Sequence, residues 1–164
     1  MDKSIKYSLF LLIIISIVSC NSRRDRDELA GFLPVTKVVD GDTFWVDDGS
    51  EKGLKIRLIG VNTPETVHPQ KPVEYYGLEA SAYVKNILTG KKVKLQFDVD
   101  KTDRYGRTLA YVYLKDGTFL NAEIIKKGFG QAMTVPPNVK YSDKFIELER
   151  KARKAKVGLW KEQE

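Results

Sequence analysis

From Val93 to Val99 every second residue is apolar, with Val93, Leu95, Phe97 and Val99 alternating with Lys94, Gln96 and Asp98. Such a period-two pattern fits a strand with one face buried, because successive side chains on an extended chain point to opposite sides. Leu54-Lys55-Ile56-Arg57-Leu58 repeats the pattern. Upstream, Pro34 to Val39 and Thr43 to Asp47 are strand-like, and Asp47-Asp48-Gly49-Ser50 supplies a turn before the third strand. A fifth strand is predicted from about Arg107 to Leu114.

Between these strands the period changes. From Gly77 to Gly90 the apolar residues Ala80, Tyr83, Val84, Ile87 and Leu88 recur at helical spacing, and Gly90 suits the position just past a helix end. Phe119 to Lys127 reads as a short helix closed by Gly128. Ser142 is a plausible N-cap for a last helix with an inner face of Phe145, Leu148, Ala152 and Ala155. The order is three strands, helix, two strands, two helices. It matches a five-stranded OB-fold barrel with three helices, an α+β and mainly β class, and is shared with other small α+β folds.

The 164 residues, 42% hydrophobic, suffice for one core. Lys and Arg outnumber Asp and Glu by 28 to 22, a net charge of +6 that favours a polyanionic partner. Lys3 and Lys6 precede an apolar run from Tyr7 to Val18 that ends in Ser19-Cys20, too short to span a bilayer comfortably. The single cysteine excludes an internal disulfide. Residues 1–19 read as a signal peptide of lipoprotein type with Cys20 as the lipidation site, residues 21–31 as a polar tether, and residues 32–161 as the folded domain. The expectation is an exported cell-envelope lipoprotein held to the membrane by a lipid anchor. Ile17-Val18-Ser19 departs from the usual residues before such a cysteine, which leaves secretion or an uncleaved anchor as alternatives.

Three polar constellations could carry chemistry: Asp40-Gly41-Asp42-Thr43 in a strand turn; Arg57 with Asn62-Thr63-Pro64-Glu65; and Thr102-Asp103-Arg104-Tyr105-Gly106-Arg107 before the fifth strand. Singly they read as a hairpin, a strand end and a solvated loop. Together they offer oxygens for a hard cation, a base for water and a fork of donors for a phosphate, which is what phosphodiester hydrolysis needs.

The stretches VVDGDTFWV, IRLIGVNTPET, HPQKPVEYYGLEASAYVK, TDRYGRTLAYVY and KARKAKVGLW resemble the thermonuclease (staphylococcal nuclease-like) family over nearly all of residues 33 to 160. The resemblance implies an OB-fold nuclease that hydrolyses DNA and RNA to products with 3′-phosphate and 5′-hydroxyl ends, with Ca2+ as cofactor. It implies Asp42, Asn62 and the carbonyl of Thr63 as metal ligands, Glu65 as general base, and Arg57 and Arg107 on the scissile phosphate, with Arg107 also assisting the leaving oxygen. Arg104 and Tyr105 fall where the family contacts the neighbouring phosphate.

Two positions depart from the family. Asn62 replaces the usual second aspartate, which removes a charge from the metal site and leaves another divalent ion as an alternative to calcium. Met133 and Val135 stand where tyrosines are common, which weakens base stacking; Tyr141 is a candidate replacement. His68 is read as structural or solvated, Trp45 and Trp160 as packing residues, and Tyr75, Tyr76 and Tyr83 as core or helix-face residues. The cations of the last helix, from Lys144 to Lys156, are read as a solvated face. No oligomer signal is visible, so a monomer is expected. The rival readings are a catalytically impaired OB-fold nucleic-acid-binding lipoprotein and a surface lipoprotein that binds another anionic polymer.

Overall fold

The computed structural model describes residues 31–66 and 72–161. The signal segment, Cys20, residues 21–30 of the tether and His68 lie outside the described residues. Strands β1 (Leu33–Asp40), β2 (Thr43–Val46) and β3 (Leu54–Leu58) form an antiparallel meander. A two-residue strand β4 (Val61–Asn62) and helix α1 (Gly77–Leu88) follow, then β5 (Lys92–Gln96), β6 (Thr108–Leu114) and α2 (Leu120–Lys126). Last come β7 (Gln131–Ala132), α3 (Ser142–Lys154) and a 3-10 turn at Gly158–Trp160. The barrel closes in the order β1-β2-β3-β6-β5, with β3 and β6 parallel and the other pairs antiparallel.

This is the expected five-stranded barrel with three helices, and it adds the small β4–β7 sheet, whose two-residue strands are too short to show a period. The register explains how the barrel presents a site. Phe44 pairs with Ile56 while Thr43 pairs with Arg57 and Trp45 with Lys55. Phe44, Val46, Ile56 and Leu58 are buried in the core. The alternate row therefore faces outward: Thr43, Trp45, Lys55 and Arg57. Asn121, fully buried on α2, staples this geometry. Its Oδ1 accepts from the Val112 N–H at 2.9 Å, and its Nδ2 donates to the Ile59 carbonyl at 2.8 Å.

Several local expectations need correction. The strand begun at Val93 ends at Gln96, and Val99 is 67% exposed, because the chain turns away to bring Asp100 against Asn138. Ser142 is the first residue of α3 and not its N-cap; its hydroxyl donates to the Val139 carbonyl. Ala155 lies past the helix and is exposed, so the buried face is Phe145 and Ala152, with Leu148 partly buried. Tyr75 is exposed and precedes α1. Trp45 is half-buried on the barrel exterior beside Lys55. Tyr141 packs edge-on to Tyr111 and donates to Gln96, so it is not available as a replacement for stacking in the cleft. On α3, Arg150 and Lys151 pair with Glu147 and Arg153 with Glu149, as a solvated face should.

Candidate active site

The outward row of β2 and β3 is the floor of a cleft walled by the β1–β2 turn, the segment after β4 and the loop before β6. At the turn Gly41 is required by close approach: a Cβ there would lie 2.8 Å from both Cγ2 and Oγ1 of Thr63. That contact lets the Thr63 N–H donate to Asp42 Oδ2 at 3.2 Å. Asp42, only 8% exposed, also accepts from the Thr43 hydroxyl at 2.9 Å and forms an ion pair with Arg57 Nη2 at 3.0 Å.

Arg57 is equally buried, and its Nη1 donates to the carbonyls of Leu58 (2.8 Å) and Val61 (2.7 Å). Burial lowers its pKa, opposed by Asp42 and reinforced by the nearby Arg107 guanidinium. The ordinary value is so high that the side chain stays charged. With both Nη1 hydrogens and one on Nη2 engaged, its Nε–H and second Nη2–H remain for a ligand.

Asp40 accepts from the Gly41 N–H and the Thr66 hydroxyl, each at 2.8 Å. Its pKa is raised, first by burial and further by the charges of Asp42 and Glu65, against the pull of those two hydrogen bonds. Glu65 is held by a reciprocal backbone clamp. Its N–H donates to Glu74 Oε2 at 3.0 Å, and the Glu74 N–H donates back to the Glu65 carbonyl at 3.0 Å.

Arg107 is positioned differently. Its Nε donates to Asp103 Oδ2 at 2.7 Å, while Asp103 Oδ1 accepts the N–H groups of Tyr105 and Arg107. Burial acts to raise the Asp103 pKa, but these bonds outweigh it and the net shift is downward. Tyr105 is 67% exposed, with the Arg104 guanidinium 4.8 Å and that of Arg107 5.3 Å from its ring centre.

Asp42, Asn62, Thr63, Glu65, Arg57 and Arg107 all line one polar cavity of about 380 Å³. Arg57 and Arg107 also line an adjoining cavity of about 480 Å³ that contains Arg104, Tyr105, Met133 and Val135. Every residue expected at the site, Cys20 aside, is thus at this cleft. Four further side chains belong to it. Lys55 lies two residues before Arg57 on the same strand face, a signal that alternation could have shown. Asp40 stands in a motif already singled out. Asp103 and Glu74 act by orienting Arg107 and Glu65, and nothing in their spacing marks that.

The donor set suits a hard cation: Asp40, Asp42, Asn62, Thr63 and Glu65 offer oxygen ligands and no sulfur or imidazole. Burial raises the Asp40 pKa first and the nearby Asp42 and Glu65 carboxylates add to it, an effect that a cation among these oxygens would oppose. Among the described residues no three His, Cys, Asp or Glu side chains converge on one ion-sized point. A cation here would therefore complete its shell with amide or carbonyl oxygen, water and substrate.

Comparison with known proteins gives concordant results. The family model described as "Staphylococcal nuclease homologue" matches residues 55–162. A thermonuclease of Staphylococcus hyicus is 46% identical over 127 residues, covering 77% of this chain and 73% of the relative. A thermonuclease of Staphylococcus intermedius is 44% identical over 127 residues, 77% of this chain and 74% of its own length. Endonuclease YncB of Bacillus subtilis is 38% identical over 130 residues, 78% of this chain and 61% of that protein.

Proposed function

The chain belongs to the staphylococcal nuclease family, whose members hydrolyse phosphodiester bonds, and we propose that it is a divalent-cation-dependent nuclease cutting DNA and RNA to 3′-phosphate and 5′-hydroxyl ends. The observation that carries this reading is the convergence of Glu65, Arg57 and Arg107 on one cavity together with the carboxylates of Asp40 and Asp42.

In this mechanism Glu65, its backbone held by Glu74, takes a proton from a water as the water oxygen bonds to phosphorus. The free donors of Arg57 and the guanidinium of Arg107 bond the equatorial oxygens, where charge builds in the transition state. The bond from phosphorus to O5′ breaks on the Arg107 side; that guanidinium donates a hydrogen bond to the departing oxygen, which takes a proton from solvent water to become the 5′-hydroxyl while Glu65 returns its proton to solvent. Asp42, Asn62 and the Thr63 carbonyl would hold a hard cation, calcium being the expected ion, and it would supply positive charge against the phosphate's own. Arg104 and Tyr105 hold the next phosphate along the strand.

The domain reading extends to the remainder of the chain: residues 1–19 are an export signal, Cys20 carries the lipid, residues 21–31 are the tether, and a monomeric nuclease acts at the cell envelope. The test is cleavage of single-stranded DNA by the purified protein with calcium titrated from micromolar to millimolar. Cutting should require the ion and collapse in Glu65→Ala. Tight binding without cutting under calcium, manganese or magnesium would reject the enzyme in favour of a binding module.

A further inference from the structure

On the side of the carboxylate cavity away from Tyr105 there is another cavity, of about 270 Å³, lined by Asn62, Pro64, Glu74, Tyr75, Gln131 and Trp160. It shares Asn62 and Glu74 with the carboxylate cavity, which in turn shares Arg57 and Arg107 with the Tyr105 cavity. The three spaces therefore form a row with the carboxylates in the middle. The β4–β7 sheet runs beneath that row. Asn62 pairs with Gln131, and the Met133 N–H donates to the Gly60 carbonyl at 3.1 Å. Gln131 and Met133, two apart on an extended segment, project to the same side, one into each end cavity.

The chemistry of the end cavities differs. The Tyr105 cavity carries guanidiniums suited to phosphate. Among the described residues no lysine or arginine lines the Tyr75 cavity, and the Glu74 carboxylate would repel an anion. What remains is an uncharged planar group: two amides and a carboxylate offer edges to hydrogen-bond, and an aromatic ring offers a face. Tyr75 is 48% exposed and ends a supported series of rings. It lies 5.8 Å from Tyr76; Tyr76 stacks on Phe129 at 5.7 Å, and Phe129 on Tyr83 of α1 at 4.2 Å. Trp160, also in the lining, is held in turn by the Arg153 guanidinium, 3.7 Å from its ring centre.

We infer that the Tyr75 cavity is a nucleoside subsite that takes the base on the 5′ side of the scissile phosphate, while the Tyr105 cavity takes the nucleoside that leaves. The inference rests on the nuclease reading for its polarity. It places a stacking face on the upstream side of the cleft, apart from the Tyr105 ring on the downstream side, where Met133 and Val135 bring no ring of their own. The enzyme then engages bases on both sides of the bond it cuts.

The test uses a fluorescein-labelled single-stranded tetranucleotide whose only charged, cleavable linkage is the central phosphodiester, flanked by methylphosphonates. Two further ligands lack the base immediately 5′ or immediately 3′ of that linkage. Dissociation constants are measured by anisotropy in chelator, where nothing is cut, for the wild type, Tyr75→Ala and Tyr75→Phe. Tyr75→Ala should weaken binding of the intact ligand about tenfold, the loss of one stacked base. That loss should vanish for the ligand without the 5′ base, persist for the one without the 3′ base, and be recovered by Tyr75→Phe. An equal loss on all three ligands, no loss on any, or no measurable binding overturns the subsite; a loss that follows the 3′ base overturns its polarity. Wild-type cleavage of the intact ligand in calcium is read separately. Its absence would defeat the nuclease reading while the binding comparison still decides the subsite.

Discussion

The two arginines of the cleft face the same space from opposite kinds of wall. Arg57 stands on a barrel strand, 8% exposed, locked to Asp42 and two carbonyls. Arg107 ends a loop, more exposed, and is oriented by one carboxylate that also holds the loop's own backbone. The strand-borne wall spends most of its hydrogen-bonding capacity on the protein, so it is preorganised and coupled to folding. The loop-borne wall keeps its donors for the ligand. Only interactions that strengthen in the transition state accelerate a reaction, and a cleft with one fixed and one responsive guanidinium divides positioning from stabilisation.

The largest effects should come from removing each arginine. Arg57→Ala and Arg107→Ala are each expected to lower kcat by about 10²–10³-fold, the usual loss of one preorganised donor. Their stabilities should separate. Arg57→Ala leaves Asp42 buried without its ion-pair partner and removes a donor from two carbonyls, and should cost roughly 3–5 kcal/mol in denaturant unfolding. Arg107→Ala should cost less, about 1 kcal/mol, because its pair with Asp103 is only partly buried. Equal destabilisation by the two would break the comparison.

Gly41→Ala tests the fixed wall without touching a charged group. Its Cβ would meet three Thr63 side-chain atoms within 2.9 Å, so Thr63 and the bond to Asp42 must shift. A loss of roughly 1–3 kcal/mol in thermal or denaturant unfolding is expected, with a fall in calcium affinity alongside. Unchanged unfolding would mean that the turn yields and that this wall is less rigid than its contacts imply.

Much of this was legible in the chain. Alternation marked β3 and β5 because a half-buried strand cannot hide its period, strand-like stretches between turns marked β1, β2 and β6, and the quoted motifs carried the site's ionisable residues except Lys55. What stayed hidden acts through geometry. Glu74 orients Glu65 across a loop, Asp103 collects three donors at once, and β4 with β7 is too short for a pattern. Trp45 shows what composition leaves open: the register that sends Phe44 into the core puts Trp45 on the barrel exterior, where it is partly buried beside Lys55.

Asn62→Asp sharpens the comparison from the cation's side. The added carboxylate would join Asp40, Asp42 and Glu65 in the cavity. A unit charge at about 4 Å contributes from about 1 kcal/mol in water to about 4 kcal/mol near a protein surface, so calcium affinity by calorimetry should rise at least about fivefold. The ion-free protein should lose stability, since another negative charge joins a set that already raises the Asp40 pKa. Unchanged affinity would show that Asn62 does not face the ion.

The smallest effects concern protons, and there the two walls should respond in opposite directions. Asp40, in the fixed wall, has a pKa raised above its ordinary 3.8, while that of Asp103, in the loop wall, is lowered below the same value. For Asp40 the folded state binds a proton more readily than the unfolded state. Its ionised form costs stability at neutral pH, and that cost disappears as pH falls through the raised pKa. Asp103 is the reverse: its contribution is present above 3.8 and is lost as pH falls through the lowered folded value. Asp40→Asn should therefore stabilise the ion-free protein at pH 7 and give no gain in strong acid. Asp103→Asn should lower kcat a few-fold at pH 7 by loosening Arg107, with a small loss of stability at pH 7 that disappears in strong acid. Carboxyl-carbon NMR titration of the ion-free protein checks the order directly. The Asp40 midpoint should lie above that of Asp103, so that acid neutralises the fixed wall first while Arg107 is still held; the opposite order would mean that burial does not govern Asp40.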